Sequence, residues 1–82
     1  MRVVLSREAE KDYSGLPKSE QRKIDRKLLY LSKDPFVGKL LSGELKGYYS
    51  LKAWPYRIIY QIIKKSLCVA VIRILHRQGA YK

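Results

Sequence analysis

Lys52, Arg57, His76, Arg77 and Tyr81 are the residues whose types and spacing suit chemistry. They are three cations, an imidazole and a phenol, and all lie in the second half of the chain. From Leu45 to Lys82 there is no Asp or Glu, while the same stretch carries eight Lys or Arg residues. All seven carboxylates lie at or before Glu44. A site built here cannot use paired carboxylates and has no acidic ligand for a metal. The groups that remain bind phosphate, stack on bases and move protons.

Each of these residues has an ordinary explanation when taken alone. Arg57 can pack its stem on a sheet with the guanidinium at the rim. A lone histidine is usually a hydrogen-bonded structural residue. Lys52 reads as a solvated strand position, Trp54 as a turn plug and Tyr81 as part of a fraying tail. The combination is harder to dismiss. Gathering several cations with no acid to neutralise them costs too much unless an anion is present. Lys46, Trp54, Arg73 and Lys82 extend the candidate set as an RNA-binding surface. No metal site and no cofactor are expected.

Composition narrows the partner. The net charge is +11, yet 46% of residues are hydrophobic, too many for a disordered basic tail. A folded domain this basic favours a polyanion: nucleic acid first, then an acidic protein or an anionic membrane. A basic amphipathic membrane helix is disfavoured, because the second-half cations sit in strand-like sequence. The length of 82 residues predicts one domain over 1–82, burying roughly 60–65% of its unfolded surface. The single Cys68 excludes an internal disulfide and a multi-cysteine metal cluster. Its place in LCVAVI predicts a buried thiol. The first apolar run is too short for a signal peptide, and no stretch is long enough to span a bilayer. The expected location is cytoplasmic.

The elements that must position these residues are legible. Residues 2–5 form a β-branched strand. Ser6 can cap a helix over 6–15, with Glu8 in the favourable first turn. Pro17 suits the start of a second helix over 17–33. In that helix Ile24, Leu28 and Leu31 recur on one face, opposite Lys18, Arg22, Lys23, Arg26 and Lys27. Asp34-Pro35 ends it. Residues 36–47 are a glycine-rich loop. Strands are predicted at 48–53, 56–63 and 67–76, with Trp54-Pro55 as a tight turn and 64–66 as a polar break. The fold class is α+β: an N-terminal strand and helical hairpin packed on a mostly antiparallel four-stranded sheet.

The stretch LKGYYSLKAWPYRIIYQIIKKSLCVAVIRILHRQGAYK resembles the C-terminal half of RelE-type toxins of toxin–antitoxin pairs. The L-K-G lead-in, the Y-x-L-K strand, the P-Y-R-I-I-Y strand and the closing L-H-R-x-x-x-Y carry the likeness. SREAEKDYSGLPKSEQRKIDRKLLYLSKDPF fits the same family's strand and helical hairpin. The resemblance implies an endonuclease that cleaves messenger RNA in the A site of the small ribosomal subunit, restrained by an acidic antitoxin in a hetero-oligomer. It implies active-site roles for Lys52, Arg57, Arg77 and Tyr81. A further strand lysine of some relatives falls on Ser50, and His76 can stand in for it. ParE-type relatives, which inhibit DNA gyrase on the same fold and generally lack the basic set, are the alternative, together with a non-catalytic nucleic-acid-binding module.

The chemistry expected of such a site is simple. RNA carries its own nucleophile, the 2′-OH. The protein must align it with the 3′ phosphorus, accept its proton, spread the phosphorane charge and protonate the leaving 5′ oxygen. Arg57 and Arg77 suit the phosphate, because a planar fork binds two oxygens. Lys52, crowded by like charges, suits the base, and His76 suits the acid. Tyr81 suits a stacking role or orientation of the 2′-OH. The product would be a 2′,3′-cyclic phosphate.

Overall fold

The computed structural model describes residues 1–78. The elements run β1 (Arg2–Leu5), α1 (Arg7–Ser14), α2 (Lys18–Lys33), β2 (Lys39–Leu40), β3 (Tyr49–Ala53), β4 (Tyr56–Ile63) and β5 (Cys68–His76). The strands form one sheet in the order β1-β5-β4-β3-β2. β1 pairs with β5 in parallel, and the other pairings are antiparallel. The α+β class holds, with five strands where four are expected. The extra strand, β2, exists through pairing: Lys39 and Leu40 bond opposite Ser50 and Tyr49.

Local chemistry sets the helix ends. The Ser6 side chain accepts a hydrogen bond from the Ala9 N–H at 3.1 Å, capping α1. The Ser6 hydroxyl also donates to the Ile72 carbonyl at 2.7 Å, tying that cap to β5. Pro17 stands just before α2, and α2 ends at Asp34, whose extended φ of −141° precedes Pro35.

The core sits between the helices and one face of the sheet. Leu51, Ile58 and Ile74 are cross-strand partners and pack with Tyr60, Val69 and Val71 against Ala9, Ile24 and Leu31. A one-residue irregularity keeps this set on one face. Ile59 pairs with Arg73 and Tyr60 with Val71, so Ile72 is the extra residue. The bulge explains how Val71 and Ile74, three positions apart, both point inward while Arg73 does not. Cys68 is free and buried.

Tyr60 closes the end of the core beyond α2. Its hydroxyl donates to the Pro35 carbonyl at 2.8 Å and accepts from the Gly38 N–H at 3.0 Å. Its ring stacks on Tyr49, 5.3 Å between centroids at 16°. Gly38 is required by close approach, since a Cβ there would run into the Tyr60 hydroxyl and the Ser50 carbonyl oxygen.

Candidate active site

The turn between β3 and β4 is two residues, Trp54 and Pro55, joined by a cis peptide bond. It lies at the same end of the sheet as the finish of β5. Tyr56 is opposite His76, and beyond that pair the Arg77 N–H donates to the Pro55 carbonyl at 2.7 Å. That bond draws the segment after β5 against the hairpin tip. The tip is also held from the helix layer. Lys23 Nζ donates to the Trp54 carbonyl at 3.0 Å and pairs with Glu20 at 2.9 Å.

The register sorts the candidate residues by face. Lys52 is directly across from Arg57, and Arg57 from Leu75. These positions are one step out of phase with Leu51, Ile58 and Ile74, so they occupy the face away from the helices. Like charges directly opposite one another in a sheet destabilise it. An anion bound between them offsets that. Trp54, Arg57, Arg77 and Gln78 line a recess of about 330 Å³ at this corner. The Arg77 guanidinium carbon lies 4.8 Å from the centroid of the Trp54 ring, a cation–π contact.

Lys52, Arg57, Trp54 and Arg77 thus come together. His76 stands beside them rather than among them. It shares a register position with Tyr56, in phase with the core, and meets the Tyr56 ring edge-on at 5.6 Å. Its Nδ1 accepts from the Gln78 N–H at 3.3 Å, which leaves Nε2 to carry the proton of the neutral ring. In this arrangement His76 braces the turn that holds Arg77 and Gln78. Lys46 ends a short 3-10 turn ahead of β3, so the length of that strand separates it from Lys52. Tyr81 and Lys82 lie outside the described residues.

Arg73 is engaged elsewhere. Its Nε and Nη2 donate to the two Asp12 carboxylate oxygens at 2.8 and 3.1 Å, and the Ile74 N–H donates to the same carboxylate at 2.9 Å. The Asp12 hydrogen bond raises the Arg73 pKa further above its ordinary value. Asp12 therefore closes the stretch of β5 that runs past the end of β1. This ion pair and Lys23–Glu20 both lie off the recess.

Gln78 and Lys23 are additions to the set read from the sequence. Gln78 neighbours Arg77, so the closing segment pointed to it. Nothing in the sequence pointed to Lys23, because its contact with the hairpin tip is between elements far apart in the chain. Among the described residues, no group of three or more His, Cys, Asp and Glu is placed to hold a metal ion. Among the described residues no helix is long and apolar enough to cross a membrane.

Comparison with known proteins converges on one group. The family model of the ParE toxin of type II toxin–antitoxin systems, parDE, matches residues 3–81. Toxin RelG of Mycobacterium tuberculosis is 38% identical over 53 residues, covering 63% of this chain; the chain spans 61% of that relative's length. Among solved structures, the toxin–antitoxin complex RelBE2 of Mycobacterium tuberculosis aligns with a TM-score of 0.86 and 31% identity, over 93% of this chain and 96% of the other. The isolated E. coli RelE toxin aligns with a TM-score of 0.78 and 23% identity, over 92% and 82%, a likeness of fold.

Proposed function

The chain belongs to the ParE toxins of type II toxin–antitoxin systems, a RelE/ParE-type toxin, and we propose that it acts as a ribosome-associated messenger-RNA endonuclease. The observation that carries this is a recess of about 330 Å³ lined by Arg57 and Arg77, with Lys52 directly across the sheet from Arg57. Arg57 and Arg77 present forked donors to the phosphate, and Lys52 stands next to Arg57 as the proton acceptor for the 2′-OH. The 2′ oxygen gives its proton to Lys52 and attacks the adjacent phosphorus, the bond to the 5′ oxygen breaks, and the leaving oxygen takes up a proton from water. The products are a 2′,3′-cyclic phosphate and a 5′-hydroxyl. Tyr81 would stack on a base or orient the 2′-OH.

The ParE name of the matching family model favours a second reading, inhibition of DNA gyrase without catalysis. Transcript mapping separates the two. After brief induction, primer extension should reveal new 5′ ends inside translated messages. Supercoiling of plasmid DNA should be unchanged. The cluster is made of donors rather than metal ligands, so cleavage by the toxin itself should survive chelation of divalent ions wherever ribosomes are kept intact by other means. Intact messages together with lost supercoiling activity would replace the endonuclease reading by the gyrase one.

The partner that restrains the toxin should be acidic and largely extended, folding on the basic surface as it binds. Its association rate should fall steeply as salt rises, while its dissociation rate moves less. Stopped-flow mixing at several salt concentrations measures this. A salt-independent association rate would count against an electrostatic partner.

A further inference from the structure

We propose that Trp54 is a positioning residue for Arg77: its indole face holds the guanidinium in the recess beside Arg57 without using any of the donors that a phosphate needs. The inference rests on the endonuclease reading for its ligand, an RNA phosphodiester.

Four observations lead to it. Trp54 is the sole tryptophan of the chain and is 56% exposed, so the fold does not use it as a core plug. The Arg77 guanidinium lies over its ring at 4.8 Å. Arg57 and Arg77 line the same recess, so their charges repel, and no described carboxylate forms an ion pair with Arg77. The backbone on both sides of the stack is fixed: the Arg77 N–H is bonded to the Pro55 carbonyl, and the Trp54 carbonyl to Lys23. The long side chain of Arg77 is therefore the movable part, and the indole limits where it goes.

The choice of an aromatic partner has a chemical reason. A carboxylate would hold the guanidinium more firmly, but it would occupy the fork meant for the phosphate, as Asp12 occupies that of Arg73. A ring face attracts the cation through its quadrupole and takes no N–H donor. Arg77 is then both held and available. Trp54 acts through Arg77 and touches no reacting atom.

A double-mutant cycle tests this. Trp54→Leu should lower the single-turnover rate of message cleavage on programmed ribosomes by about three- to tenfold, the range of one cation–π contact. Trp54→Phe, which keeps a ring face, should recover most of the loss. In an Arg77→Ala background, Trp54→Leu should cost nothing more. The same cycle read in equilibrium binding of a short single-stranded RNA needs no cleavage. If the wild type binds but does not cleave, non-additive binding losses keep this proposal and remove the endonuclease reading. If Trp54→Leu costs as much without Arg77 as with it, in cleavage or in binding, then Trp54 contacts RNA directly and the positioning role is wrong. Failure of Trp54→Phe to recover function would also overturn it.

Discussion

Arg77→Ala is expected to lower the single-turnover rate of message cleavage on programmed ribosomes by about 10²- to 10³-fold, the scale for removing one preorganised donor to a developing charge. The effect should fall on the rate at saturation, because the phosphorane carries more charge than the bound phosphodiester. Arg77→Lys should restore little, since an ammonium cannot bind two oxygens and loses the planar contact with Trp54. The substitution leaves the fold in place: the bond of residue 77 to the Pro55 carbonyl is made by the backbone. Unchanged affinity for the antitoxin serves as the control. Near-wild-type cleavage by a folded Arg77→Ala protein would remove this corner from the reaction and favour the gyrase reading.

The second large effect concerns stability and centres on Tyr60. Tyr60→Ala removes a fully buried ring, its stack on Tyr49 and two hydrogen bonds. The cost should be about 3–5 kcal/mol. A chain of this size has a total stability of only roughly 4–12 kcal/mol at 0.05–0.15 kcal/mol per residue. Tyr60→Phe keeps the ring but leaves the Gly38 N–H and the Pro35 carbonyl without the hydroxyl, for about 1–3 kcal/mol. Urea melts give both values, and an alanine cost no greater than the phenylalanine cost would mean that the ring packing contributes nothing. The pair also has a pH signature. Burial raises the Tyr60 pKa, so the native state keeps this proton after the unfolded chain has released its own. The associated stability is complete below the ordinary tyrosine range and is lost as pH rises through the higher native value. Tyr60→Phe should show a shallower alkaline decline than the wild type.

Much of this architecture is written in short-range signals. The β-branched runs at 2–5, 56–63 and 67–76 mark strands, and Ser6, Pro17 and Asp34-Pro35 punctuate the helices within a residue or so of their ends. Two charges in apolar runs, Arg57 and Arg73, look equivalent in the sequence. Pairing makes them different: Arg57 comes opposite Lys52, whereas Arg73, beside the bulge at Ile72, reaches Asp12 from 61 residues away. His76 and Arg77 are neighbours in the chain, but the register puts His76 with Tyr56 and in phase with the core. No local pattern encodes that parity. β2 has two residues, too few for any period, and Lys39 and Leu40 become a strand only because β3 offers an edge. The stack of Arg77 on Trp54 likewise needs the hairpin tip and the end of β5 to meet first.

The parallel pairing of β1 with β5 has a bearing on how the protein is made. Ser6 and Ile72, which are bonded across this seam, are 66 residues apart. A nascent chain emerges from its own ribosome β1 first, and β1 finds no strand to pair with until β5 follows. Until then the hairpin of β3 and β4 carries Lys52 and Arg57 on an unfinished sheet, and the clamp from Arg77 to Pro55 does not exist. The cationic corner and the sheet beneath it are completed in the same late step. Order of synthesis thus keeps the cationic corner unassembled until β5 has been made.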